Sequence, residues 1–142
     1  MNNIYFDLKI KSGVYRIYSA VSDPKELLKW WPLECSGNAE IDEVYRLFFG
    51  ELYDWRARVS KMEVGRIFEW TMEDCDEDWN GTKVGFIVTP EDSEFGMLSF
   101  YHTGWPTLNH HFRHSAFCWA NLLEGLKNYL ETGVVQPFEL RA

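Results

Sequence analysis

The segment Asn109–Trp119, NHHFRHSAFCW, sets His110, His111, His114 and Cys118 within ten residues. Imidazole and thiolate are zinc ligands. His110 and His114 are four apart, so on a helix they would share a face, as in H-E-x-x-H metalloprotease sites. Here the second position is His111 rather than Glu, so the general base of that chemistry is missing, and no Cys or paired carboxylate is placed to give a third ligand. The segment is therefore read as a polar first helical turn facing solvent or a pocket mouth, with no metal. Cys118 falls beside the apolar stripe of the same helix and is expected to be a core thiol.

Two further constellations invite chemistry. In the acidic run Glu73–Asp78, EDCDED, the residues Asp74, Asp76 and Asp78 match the first three ligands of an EF-hand loop. The sixth position is then Trp79 where glycine is needed, and the twelfth is Gly85 where glutamate is needed, so calcium binding fails. The run reads as a solvated approach to a hairpin turned by Asn80-Gly81. His102 alternates with Leu98 and Phe100, which points it inward, either as a satisfied core residue or as an anchor for a ligand's hydroxyl or carboxylate. Arg56 and Arg58 alternate against an apolar face and point outward. No nucleophile–base–orienter pattern and no glycine-rich phosphate loop occurs.

The elements that must position these groups follow from periodicity. Ile4, Phe6, Leu8 and Ile10 alternate with polar residues, a half-buried strand. Ser12–Pro32 then reads as two short helices, the second capped by Asp23 with Pro24 at its first position and Pro32 barring continuation. Strands follow at Glu43–Phe49, Tyr53–Met62, Arg66–Met72, Thr82–Thr89 and Phe95–Thr103, with Gly50, Gly65 and Asn80-Gly81 marking turns. Phe112, Ala116, Trp119, Leu123, Leu126 and Leu130 recur every three or four residues, one stripe of a helix over 109–131 that stops at Gly133 and spans about 35 Å. The fold class is α+β: a curved antiparallel sheet of six to seven strands wrapped round a long C-terminal helix, with two short helices after the first strand. One domain over 1–142 is expected.

Composition narrows the function. With 14 basic and 22 acidic residues the formal charge is −8, which argues against nucleic acid and anionic membrane partners. The N-terminus lacks a signal-peptide pattern and no apolar run is long enough to span a bilayer. Cys35, Cys75 and Cys118 form no C-x-x-C pair and read as reduced thiols of a cytoplasmic protein. Aromatic residues make up 17%, including seven Trp. Trp55, Phe68, Trp70, Phe86, Phe100 and Trp119 should face one interior, either as a solid core or as the wall of a pocket.

The residues Ser22–Pro32 (SDPKELLKWWP), Asp76–Phe86 (DEDWNGTKVGF), His102–Trp105 (HTGW) and Phe117–Gly133 (FCWANLLEGLKNYLETG) occur in an order that resembles the SRPBCC superfamily. This is the helix-grip fold shared by START lipid-transfer domains and the birch-pollen allergen. Within it the chain is similar to homologues of the activator of the heat-shock-protein-90 ATPase. The resemblance implies a hydrophobic cavity between sheet and long helix. The leading expectation is a protein holding a small apolar, aromatic or lipid-like ligand, with no cofactor. Trp55, Ala57, Trp70, Phe86, Leu98, Phe100, His102 and Trp119 would line the site, and Lys29–Pro32 would form part of its rim. The alternatives are a protein-interaction module with a chaperone as partner, and an enzyme of the polyketide cyclase kind, for which His102 is the one inward acid–base candidate. Ala57 is the one small side chain in its row, so a cavity above it would accommodate Ala57→Leu without loss of stability.

Overall fold

Alternation along Ile4, Phe6, Leu8 and Ile10 becomes β1 (Asn2–Ile10) in a computed structural model that describes residues 2–142. Next come α1 (Val14–Ser22) and α2 (Pro24–Leu27), then β2 (Glu34–Ser36), β3 (Val44–Gly50), β4 (Tyr53–Glu63), β5 (Ile67–Asp74), β6 (Lys83–Pro90) and β7 (Gly96–Trp105). The long helix α3 (His110–Thr132) follows, and a 3₁₀ turn at Phe138–Leu140 lies in the tail. All pairings are antiparallel in the order β1-β7-β6-β5-β4-β3-β2. The chain therefore starts at one sheet edge, crosses by α1 and α2 to the other, and returns strand by strand until β7 pairs with β1, Ile4 opposite His102 and Leu8 opposite Leu98. The curved sheet grips α3.

Local chemistry sets the element ends. Asp23 accepts from the Lys25 amide at 2.9 Å and Pro24 opens α2, which satisfies one orphan donor of the first turn. Asn109 caps α3 by accepting from the Phe112 amide at 3.0 Å. Gly133 closes α3 at φ +80°, a left-handed position where a side chain is strained.

The strand β2 is only three residues long, too short to show an alternation, and brings the sheet to seven strands. Two expectations need correction. On α3 the buried stripe is Ser115, Trp119, Leu122, Leu123, Leu126 and Tyr129, while Phe112, Ala116 and Leu130 are half-buried at its margin. A polar latch explains the rotation: the Tyr129 hydroxyl donates to Glu26 at 2.9 Å and accepts from Arg16 and Lys29, each at 3.3 Å, which draws that side of the helix onto α1 and α2. Second, Trp55, expected to face the interior, is half-buried, because β4 runs past the covered part of the sheet before Ala57 and Val59 enter the core; Tyr53 beside it is 47% exposed.

The interior is packed with aromatic rings. Trp70 meets Phe68 edge-on at 4.9 Å and Tyr45 at 5.2 Å, and Phe86 lies 5.5 Å from Phe100. Ala57 stands between Tyr45 on β3 and Met72 on β5, and all three are fully buried. Ala57 thus lies between two large side chains, and it is not among the residues that wall the cavity described below.

His102 is the polar pivot of this core. Trp119 Nε1 on α3 donates to His102 Nδ1 at 3.1 Å, so the ring proton resides on Nε2, which donates to Thr82 Oγ1 at 2.8 Å. Thr82 in turn donates to the Trp79 carbonyl at 2.6 Å. Burial, with the nearby His111 as a lesser cause, pushes the imidazole down to about 3. His102 is therefore neutral at ordinary pH, with both nitrogens engaged.

Two outcomes follow. Ala57→Leu should destabilise the protein by about 1–3 kcal/mol through overpacking, measured as a lower denaturation midpoint; an unchanged or higher midpoint would mean that space exists beside Ala57. For His102, the folded-state value lies below the unfolded value near 6.5, so unfolding takes up a proton between these limits. Its contribution is fully present above about pH 6.5 and is lost as pH falls toward 3. His102→Phe should cost about 1–3 kcal/mol at neutral pH by orphaning the Trp119 N–H. Its stability should also fall less steeply with acidification than that of the parent, as urea titrations across this window would show.

Candidate ligand-binding site

The aromatic packing opens at one end of the grip. There a cavity of about 160 Å³ lies between the first half of α3 and the sheet, walled by Trp31, Phe49, Trp55, Trp79, Trp119 and Leu122, with His111, Ser115 and Cys118 at its helical side. Each wall residue has a reason to be there. The Trp30 indole donates to the Ala20 carbonyl at 2.9 Å and pins the chain after α2, and Trp31 stacks on it at 6.0 Å. Trp31 then reaches Trp119 at 4.9 Å and Phe49 at 5.7 Å. Trp55 bridges from Phe49 (5.2 Å) to Trp79 (4.7 Å), and Trp79 donates to Ser115 Oγ at 3.4 Å.

The rim carries the charge. His111 Nδ1 lies 3.2 Å from Asp78 and its Nε2 lies 3.9 Å from Asp76. Asn109 donates to Asp78 at 3.1 Å, the main reason that the carboxyl of Asp78 sits below its ordinary range, with His111 contributing less. Two residues of the acidic run thus tie the β5–β6 connection to the start of α3, where carboxylates favour the helix dipole. They do not form a merely solvated approach.

The sequence-derived candidates divide. Trp55 and Trp119 stand on the cavity wall. Ala57, Trp70, Phe86, Leu98, Phe100 and His102 do not: all are buried in the packed core, where Phe100 and His102 meet the ring of Trp119 and Trp70 meets that of Trp31. Of the expected rim segment, Trp31 faces the cavity. Phe49, Trp79 and Leu122 were not anticipated. Trp79 was visible as the residue that spoils a calcium loop and as part of the Asp76–Phe86 resemblance segment, neither of which places its ring; Leu122 lies three positions from Trp119, a helical repeat that could have placed it beside that ring.

Cys118 is not a core thiol. It is half-buried beside the cavity, 3.4 Å from His114 Nε2, and burial raises its thiol above the usual value. The rings of His110 and His114 stack at 6.0 Å on the exposed side of α3. Among the described residues no three His, Cys, Asp or Glu side chains converge as metal ligands would. The imidazole of His102 is used up by Trp119 and Thr82 and reaches no open space, so it is not poised as a general base. A larger, open trough of about 670 Å³ runs outside the grip, between Asn121, Gly125 and Asn128 of α3 and the tail residues Val134–Pro137. Among the described residues no helix is long and apolar enough to cross a membrane.

Comparison with known proteins agrees with this architecture. The solution structure of the Aha1 dimer from Colwellia psychrerythraea superposes with a TM-score of 0.85 at 26% identity, covering 94% of this chain and 98% of that one. CalU16 from Micromonospora echinospora gives 0.75 at 16% identity, over 98% and 80% of the two chains. DynU16, a protein of the dynemicin biosynthetic locus, gives 0.76 at 20% identity, over 94% of this chain and 48% of its own. The last two share the fold alone. No curated protein matches the sequence significantly. The family model for activator of Hsp90 ATPase homolog 1-like proteins matches residues 13–131, which spans α1 through α3, and the chain belongs to that family.

Proposed function

We propose that the protein binds a small apolar or planar aromatic molecule in the cavity between α3 and the sheet. The observation that carries this reading is the wall itself: Trp31, Phe49, Trp55, Trp79 and Trp119 meet round an open space instead of closing it. Rigid aromatic rings lose little entropy when a flat ligand arrives, and small-molecule sites are built largely from them. At about 160 Å³ the space is below the usual range for drug-sized ligands, so it takes one or two rings, or one end of a longer lipid-like molecule whose remainder lies outside. In this proposal Trp55 and Trp119 contact the ligand directly, while Ala57, Trp70, Phe86, Leu98, Phe100 and His102 fix the rings behind them. Three unpaired cysteines support the cytoplasm as its place of work.

A second reading is a protein-interaction module. The family takes its name from a chaperone ATPase activator. Phe117, Val134 and Leu140, each more than half exposed, supply apolar surface on the outer side of the grip. The two readings use opposite sides of α3 and are separable by experiment.

A neutral planar probe such as 2-naphthol should quench tryptophan emission and raise the melting temperature. Trp55→Ala, at the half-buried rim, should weaken that binding about tenfold or more, whereas Phe117→Ala should leave it unchanged. If a broad set of flavonoids, fatty acids and naphthols moves neither emission nor melting temperature, the ligand-binding reading fails and the interaction module leads.

A further inference from the structure

We propose that the cavity recognises an organic cation, specifically an alkylated ammonium group such as a trimethylammonium head. The inference rests on the cavity being a ligand site, and it adds the chemical class of what enters.

Three features of the wall point the same way. First, four indoles and one phenyl ring surround the space. The face of an indole carries negative quadrupole density, and tryptophan is the strongest of the aromatic partners for a cation. Second, among the described residues the wall holds no lysine or arginine, and its one basic side chain, His111, is held by Asp78 and lies near Asp76. Asn109 donates to Asp78, which favours its ionised form further. The guanidinium of Arg141, on the outer side of Trp31, is taken up by the carbonyls of Trp31, Pro32 and Gln136. Third, two of the four indole N–H groups are already engaged. Trp79 donates to Ser115, and Trp119 donates to His102.

These features discriminate among ligands. A carboxylate or phosphate would meet rim carboxylates and no free cation, with at most the N–H groups of Trp31 and Trp55 to replace its hydration. A primary ammonium needs three acceptors once it leaves water, and the wall offers only Ser115 and Cys118. A trimethylammonium group has no N–H to satisfy. Its methyl groups bury against rings as an apolar ligand's would, while its charge is stabilised by the ring faces and by the rim carboxylates. The size also fits: a space of about 160 Å³ accepts a trimethylammonium head group.

The test compares choline with 3,3-dimethylbutan-1-ol, which replaces the charged nitrogen by carbon and keeps the shape. Binding is followed by shifts of the indole N–H resonances and by displacement of 2-naphthol. Choline should bind at least about tenfold more tightly than the alcohol, as expected for a cation–π site shielded from water. Asp78→Asn should weaken choline several-fold and leave the alcohol unchanged. Trp55→Leu, on the half-buried rim where the fold tolerates change, should reduce the advantage of choline over the alcohol. If the alcohol binds as tightly as choline, or if 2-naphthol binds and neither small ligand displaces it, the cation is wrong and the apolar cavity stands. If none of the three binds, both proposals fall.

Discussion

One buried hydrogen bond, from the Trp119 indole to Nδ1 of His102, decides where the long helix lies on the sheet. A helix on a curved sheet can slide and roll at little expense when only apolar contacts hold it, because those contacts are non-directional. The indole–imidazole bond removes that freedom. It couples α3 to β7, and through Thr82 and the Trp79 carbonyl it couples α3 to the β5–β6 connection as well. Three walls of the cavity, Trp79, Trp119 and Ser115, are set by this one chain of donors. The desolvation that makes His102 neutral is thus also what makes it a dependable acceptor: an imidazolium would have no lone pair for Trp119.

The same network explains what the sequence made legible. Period-two and period-three-to-four patterns identified six of the seven strands, β1 and β3 to β7, each to within two residues at either end, and both ends of α3 to within one. Each of those signals comes from residues with one buried face. The short β2 carries no such signal, since its place depends on pairing with β3 across a long loop. The buried stripe of α3 was misjudged by about one position because a tyrosine hydroxyl with three polar partners outcompetes a leucine for the covered side, and periodicity counts only apolar side chains.

The site was less legible than the fold, and for a physical reason. Alternation tells which face of a strand is inward, but a curved sheet has an interior deeper than one side chain. Trp70, Phe86, Leu98 and Phe100 do face inward, yet the rings of Trp31 and Trp119 come between them and the opening. Depth along the grip depends on where the turns and the helix cross, which is a three-dimensional property. Trp79 shows this most clearly: its neighbours in sequence are acidic and turn-forming, and only the fold carries its ring back over Trp55 and His102.

The latch between Tyr129 and the Arg16, Lys29 and Glu26 side chains gives α3 an unequal mechanics. At the C-terminal half a phenol held by three charged groups, with both cations also lying over its ring at 5.2–5.3 Å, acts as a clamp. At the N-terminal end the helix leans on ring edges, Trp105 against Phe112 and His111, and on the exposed bonds of Asp78. The cavity adjoins the half of α3 held by rings, so a ligand larger than the resting space would have to displace Trp and His edges before it strained the charged latch at the other end.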